Sequence, residues 1–236
     1  MVFNTMYQGG ENMKRTKLSE RILPTYTKGE EIFNMVSHIV GGVIGIVAIV
    51  LCSVVGAIHN NPYGIVSGIV FGCMLLLLYT MSSIYHGLSP KLKAKKVFQV
   101  IDHCSIFLLI AGSYTPFCLC TLRQYSPVVG WTIFAIVWGI AILGIILNSI
   151  DLKKYKVFSM ICYLIMGWCI IFKVDVLIEF LRIPGFSLLL GGGIVYTIGA
   201  ILYGVGKKKK WMHSIFHILC VISSILHLLC ILIYVV

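Results

Sequence analysis

The stretch His213-Ser-Ile-Phe-His217 opens a segment that continues as ILCVISSILHLLCILIYVV to Val236 without a lysine, arginine, aspartate or glutamate. About 20 apolar residues are enough for a helix to cross the hydrocarbon core of a bilayer, so this segment predicts a membrane-spanning helix. On that helix the two imidazoles lie on one face about one turn apart, a spacing at which two ring nitrogens can bind one Zn²⁺ ion. Two histidines that only hydrogen-bond between packed helices are the alternative.

The rest of the chain has the same apolar character. Of its 236 residues, 59% are hydrophobic and only 11% are charged, which is too apolar for one water-soluble core. Stretches of spanning length occupy residues 32–57, 64–86, 97–121, 127–149, 157–179, 185–206 and 212–236. The sequence therefore predicts an all-α integral membrane protein, with a disordered cytoplasmic tail at residues 1–29 and a seven-transmembrane helix bundle over residues 30–236.

The net charge of +11 is distributed in a way that indicates the topology. Most basic residues lie in the tail and in the loops after the second, fourth and sixth spans: Lys14, Arg15, Lys17, Arg21 and Lys28; Lys91, Lys93, Lys95 and Lys96; Lys153, Lys154 and Lys156; Lys207 to Lys210. Short basic loops stay in the cytoplasm, so we expect a cytoplasmic N-terminus and an external C-terminus in a multi-pass plasma-membrane protein. The same charges suit anionic headgroups, which makes membrane lipids the expected partners and excludes nucleic acid. The oligomeric state is left open.

Polar residues from distant parts of the chain are predicted at one depth. The second span ends in Ser82-Ser-Ile-Tyr-His86, Asp102 lies one to two turns into the third span, and His213 and His217 begin the seventh. In the orientation above, all of them lie at the cytoplasmic rim. Unpaired polar groups in hydrocarbon cost several kcal/mol each, so a shared metal site explains them better than separate accidents. The three imidazoles, His86, His213 and His217, are the predicted Zn²⁺ ligands. The nine cysteines form no CxxC pair, so a thiolate zinc site is not expected.

Further polar residues lie at the same rim, at the start of the first span. Glu30 and Glu31 are in a first helical turn that favours carboxylates, and Asn34 and His38 share a helix face. Capping and hydrogen bonds between helices account for all four, although any of them could also support the metal ligands. The remaining histidines, His59, His103 and His227, are not expected to bind the metal.

The combined pattern resembles a known family. Ser82-xxx-His86, Asp102 followed by GSYTPF at residues 112–117, and His213-xxx-His217 with His227 further on are similar to the bacterial hemolysin III proteins. These are similar to the progestin and adipoQ receptor family, which includes the adiponectin receptors, and more distantly to alkaline ceramidases. The resemblance implies a zinc ion near the cytoplasmic face, surrounded by Ser82, His86, Asp102, His213 and His217.

The chemistry of such a site predicts a hydrolase. Three neutral imidazoles leave the fourth tetrahedral position of Zn²⁺ to water, whose pKa the metal can lower toward ~7. Asp102 could act as general base or only orient a ligand, and Ser82 could orient the water or stabilise an oxyanion. A substrate at this depth is expected to be a lipid, and the likeness to ceramidases favours cleavage of an acyl amide or ester.

Two other classes of function stay open. In the first, the protein is a membrane regulator or sensor without enzymatic activity, and zinc only holds helices together. In the second, it is a pore-forming cytolysin. The absence of a cleavable signal peptide in the tail and the hydrophobicity of every span favour a resident membrane protein over a released toxin.

Overall fold

The computed structural model describes residues 15–205 and 209–236, and all regular structure within these residues is helical. The main helices are α1 Lys28–Ile58, α2 Pro62–Gly87, α3 Lys93–Pro116, α4 Pro127–Asp151, α5 Lys156–Trp168, α6 Val174–Val205 and α7 Met212–Tyr234. A π-helical segment, Phe117–Leu122, and a short turn, Arg123–Tyr125, extend α3 beyond Pro116, and a 3₁₀ segment, Cys169–Lys173, joins α5 to α6. A further 3₁₀ turn, Leu18–Glu20, lies in the tail.

Six helical stretches of the described chain are long and apolar enough to cross a membrane. The first four predicted spans and the last one each correspond to one stretch. The predicted fifth and sixth spans instead fall within one stretch of 49 residues, Lys156–Gly204. Its backbone leaves the helical conformation at Arg182, where φ is 56° and ψ is 173°. The prediction of a helical membrane protein is confirmed, whereas the helix boundaries alone yield six spans.

Glycines let α1 and α2 pack with their backbones in contact. A Cβ added to Gly45 would lie 2.7 Å from the Leu76 amide nitrogen, and one added to Gly72 would lie 2.7 Å from the Ile49 amide nitrogen. Gly41 and Gly45 in α1 are spaced four apart, as are Gly68 and Gly72 in α2. Small residues at this spacing allow helices to approach closely in lipid, where packing and not hydrophobicity holds them together. Because α1 also packs on α7, it brings the end of α2 and the start of α7 to one rim of the bundle.

The tail crosses this rim before α1 begins. The Thr16 amide donates to Asp151 Oδ2 at 2.8 Å, and Lys96 Nζ donates to the Ser19 carbonyl at 2.7 Å. Thr27 then caps α1 in a capping box with Glu30. The disorder predicted for the tail falls partly on residues 1–14, which lie outside the described residues, as do residues 206–208 of the last basic loop.

Candidate metal centre

Three imidazoles meet at the rim formed by α2 and α7. His86 lies in the last turn of α2, and His213 and His217 lie in the first two turns of α7. The Nε2 atom of His213 is 3.3 Å from Nε2 of His86 and 3.0 Å from Nε2 of His217. One ligand atom from each residue lies within 4.8 Å of the other two. The predicted convergence of these histidines is confirmed.

The spacing fits a metal ion better than a hydrogen-bonded cluster. Tetrahedral coordination with Zn–N bonds of 2.0–2.1 Å separates ligand nitrogens by about 3.3 Å. A neutral imidazole nitrogen carries either one hydrogen or one lone pair, so His213 Nε2 cannot make a full hydrogen bond to both neighbours. A metal ion accepts all three lone pairs at once. His86, His213 and His217 could therefore hold a metal ion.

A partly buried carboxylate contacts the first of these histidines. Glu31 Oε2 lies 2.7 Å from His86 Nδ1, and Glu31 Oε1 accepts a hydrogen bond from Lys95 Nζ at 2.7 Å. Lys95 also donates to the Leu88 carbonyl at 2.9 Å and is 1% exposed. The sequence groups Lys95 with the basic loop residues. Its spacing does not distinguish it from its lysine neighbours, and only the fold shows that it points inward.

The neighbouring carboxylate of Glu30 holds the start of α7. Its Oε1 atom accepts from the Trp211 amide at 2.6 Å, and its Oε2 atom accepts from the Thr27 amide at 2.8 Å. Trp211 has a φ of 66°, a left-handed conformation that a bulky residue adopts only when its surroundings hold it there. The expected capping role of Glu30 is present, together with a second contact that the sequence did not indicate.

His38 packs beside the cluster without joining it. Its ring stacks on that of His217 with centroids 3.7 Å apart and planes inclined by 17°. A ring nitrogen binds a metal in the plane of its ring, so two stacked parallel rings do not point at the same ion. Within the described residues, the side-chain nitrogens of His38 and the side-chain amide of Asn34 are buried without hydrogen-bond partners. The interhelical hydrogen bonds expected for these two side chains are therefore not formed.

Tyr26 of the tail covers the cluster. Its ring stacks on His213 at a centroid distance of 4.9 Å and lies 5.6 Å from the ring of His86. Burial, with a smaller contribution from the nearby Tyr203 hydroxyl, raises the pKa of Tyr26 well above its ordinary value of 10. The ring beside His213 and His86 is therefore an uncharged phenol.

A mostly apolar cavity of about 180 Å³ begins at the histidine cluster. His213, His217, Ser82 and Asp102 line its polar end, and His227 lines it further along α7. Asp102 does not belong to the group of atoms within 4.8 Å of one another; its Oδ2 atom lies 3.7 Å from His103 Nδ1. The structure thus brings Ser82 and Asp102 to the cavity, while their catalytic roles stay predictions.

The remaining histidines have backbone partners elsewhere. His59 Nδ1 lies 3.0 Å from the Val236 carbonyl oxygen, His103 Nδ1 lies 2.8 Å from that of Gln99, and His227 Nε2 lies 3.3 Å from that of Leu189. His103 nevertheless lines the cavity beside Asp102. None of the three belongs to the ligand group within the described residues.

Comparison with known proteins identifies the family. The model of the family described as haemolysin-III related matches residues 26–228, which include all three clustered histidines. The chain belongs to the haemolysin-III related family. It is 40% identical to Hemolysin-3 of Bacillus cereus over 206 residues, covering 87% of this chain and 92% of that protein. It is 39% identical to the Hemolysin-3 homolog of Bacillus subtilis (strain 168) over 192 residues, covering 81% and 88% of the two chains.

A more distant relative comes from animals. The chain is 25% identical to the human monocyte to macrophage differentiation factor over 178 residues, covering 72% of this chain and 71% of that protein. That protein belongs to the progestin and adipoQ receptor family. The resemblance drawn from the histidine motifs is therefore confirmed for the haemolysin-III related family and its distant receptor relatives.

Proposed function

We propose that this protein resides in the plasma membrane, binds one Zn²⁺ ion through His86, His213 and His217, and hydrolyses an amide or ester bond of a lipid acyl chain. The observation that carries the proposal is the convergence of three imidazole Nε2 atoms, 3.3 and 3.0 Å apart, at the polar end of a mostly apolar cavity. Imidazole ligands suit zinc, and three protein ligands with one open position are typical of catalytic zinc sites. When bound there, the metal supplies Lewis-acid activation of water and of a substrate carbonyl.

The polar side chains of the cavity would carry the proton transfer. In the proposed reaction an Asp102 carboxylate oxygen takes the proton from the attacking water and later delivers it to the leaving amine or alcohol. Ser82 is 1% exposed and lies one helical turn before His86. Its hydroxyl donates to the oxyanion that develops on the substrate carbonyl.

The apolar walls would bind the acyl chain. Leu78, Ile106, Leu109 and Ile110 line the cavity behind the polar end, where they exclude water and favour a hydrocarbon. We place the entrance for the substrate between α5 and α6. Gly167 and Gly193 both line the cavity, and a Cβ added to either would meet no atom within 4 Å. A lipid would therefore enter sideways, from the bilayer.

The proposed topology has seven spans, a cytoplasmic N-terminus and an external C-terminus. A straight helix of 49 residues, the length of Lys156–Gly204, would extend about 74 Å at 1.5 Å per residue, more than twice the ~30 Å hydrocarbon core. The non-helical backbone at Arg182 supplies a point at which the chain can turn back. With two spans in this stretch, the basic loops alternate with nearly uncharged ones, as the positive-inside rule requires.

One observation favours a second candidate, a regulator or sensor with structural zinc. The three ligands come from two helices, so a metal would hold α2 to α7 whether or not it activates water. A lipid that alters the packing of these helices would then shift the protein between two states. A cytolysin, as the name of the Bacillus cereus relative suggests, would have to leave the producing cell. Recovery of the whole protein in the membrane fraction would argue against it.

The substitution Asp102→Asn separates the hydrolase from the regulator. It keeps the shape of the side chain and removes the base, so a hydrolase should lose about 10²–10⁴-fold in turnover while retaining zinc. The assay follows fatty-acid release from ceramides, acyl amides and phospholipids by purified protein in lipid nanodiscs. A zinc-loaded, folded parent that cleaves none of these substrates would contradict the hydrolase and support the regulator.

A further inference from the structure

We infer that Glu31 is a positioning residue for the metal ligand His86, and that Lys95 holds Glu31 in place; this inference rests on the metal site proposed above. The three side chains form a chain of contacts across three helices. Glu31 lies in the first turn of α1, His86 in the last turn of α2, and Lys95 near the start of α3. Their exposed side-chain fractions are 19% for Glu31, 0% for His86 and 1% for Lys95.

The direction of the hydrogen bonds determines which nitrogen of His86 faces the metal. Lys95 Nζ donates to Glu31 Oε1, and Glu31 Oε2 lies 2.7 Å from His86 Nδ1. A carboxylate only accepts hydrogen bonds, so Nδ1 of His86 must carry the hydrogen. In the neutral ring, Nε2 then presents its lone pair, and this is the atom 3.3 Å from His213 Nε2. Glu31 thus selects the tautomer that can bind a metal.

Lys95 prevents Glu31 from turning away. Its ammonium is held by three groups at once: the Glu31 carboxylate, the Leu88 carbonyl at 2.9 Å, and the face of the Tyr85 ring, whose centroid is 5.0 Å away. Leu88 and Tyr85 flank His86 at the end of α2. The ammonium therefore fixes the carboxylate relative to the backbone that carries His86, and a small shift of α1 does not free the imidazole.

The zinc dissociation constant of the full chain tests the inference. In nanodiscs, with a competing chelator, Glu31→Ala should weaken zinc binding about 10–100-fold, because partners of metal-bound histidines have effects of this size. Glu31→Gln should recover part of the loss, since its amide oxygen still accepts from Nδ1. Lys95→Met should weaken binding in the same direction. Glu179→Ala, which removes an exposed carboxylate from α6, should leave the constant unchanged.

A second readout needs no metal. The ¹⁵N chemical shifts of His86 in metal-free protein report which nitrogen carries the hydrogen, with the signal assigned from a His86→Gln sample. The parent and Glu31→Gln should have the hydrogen on Nδ1, and Glu31→Ala should have a mixture. If Glu31→Ala does not fold, Glu31→Gln and Lys95→Met supply the comparison.

The two readouts separate the two proposals. A parent that binds zinc tightly, with Glu31→Ala within twofold of it, would overturn the positioning role and leave the metal site standing. A parent that takes up no zinc would contradict the metal site instead. In that case the tautomer of His86 alone tests the positioning role. A mixture of tautomers in Glu31→Ala supports this role, and a ¹⁵N spectrum unchanged from that of the parent overturns it.

Discussion

Replacing Glu30 with alanine should loosen the start of α7. The Glu30 carboxylate is 4% exposed and accepts from the Trp211 amide at 2.6 Å, from the Thr27 amide at 2.8 Å and from the Thr27 hydroxyl at 2.7 Å. Glu30→Ala removes all three of these hydrogen bonds together. The Trp211 amide would then be unpaired two residues before His213.

The size of the loss follows from these contacts. A hydrogen bond to a charged group contributes about 1.5–3 kcal/mol, and loss of a cap costs about 1 kcal/mol. Glu30→Ala should therefore lower the free energy of unfolding by about 3 kcal/mol, which corresponds to a fall in Tm of about 6–12 °C for a chain of this size. Glu30→Gln keeps one acceptor oxygen, so its Tm should lie about halfway between those of Glu30→Ala and the parent.

Thermal unfolding in detergent, followed by tryptophan fluorescence, measures the effect. The matched control is Glu20→Ala, because Glu20 also accepts from a backbone amide, that of Lys17 at 3.2 Å, but at an exposed position. Its Tm should stay within about 2 °C of the parent. A Glu30→Ala variant as stable as the control would contradict the stabilising role of the contact between Glu30 and Trp211.

Further predictions concern the topology, the Tyr26 ring on the histidine cluster and the helix packing. Reporter fusions at Val236 and in the loop at residues 207–210 should report opposite sides of the membrane, and the same side for both would contradict seven spans. Tyr26→Ala should speed zinc loss to a chelator severalfold, whereas Tyr26→Phe, which keeps the stacked ring, should match the parent. Gly72→Ala should destabilise the folded protein by about 1–3 kcal/mol through a clash with the neighbouring backbone, whereas Gly139→Ala, with nothing within 4 Å of the added Cβ, should not.

Much of the candidate metal centre could be predicted because its three histidines follow local rules. The i, i+4 spacing of His213 and His217 determines a shared helix face, and the lengths of the apolar stretches place His86 at the matching depth. The glycine spacing likewise indicates the close contact of α1 and α2.

The partners of the ligands could not be predicted, because they depend on contacts between distant segments. Lys95 lies among loop lysines and differs from them only in pointing at Glu31. The contact of Glu30 with Trp211 joins residues that are 181 positions apart. The boundary between the fifth and sixth spans is a different case, because the sequence marks it and the helix ends do not. The backbone is helical on both sides of Arg182, so helix ends do not separate the spans predicted at residues 157–179 and 185–206.

The metal content of the purified protein tests the central claim most directly. Elemental analysis of protein prepared without added metal, compared with the His213→Ala/His217→Ala double variant and with His59→Ala, measures whether the three imidazoles hold an ion. The parent and His59→Ala should carry about one zinc per chain, and the double variant should carry almost none. Full zinc content in a folded double variant would contradict the metal centre described above.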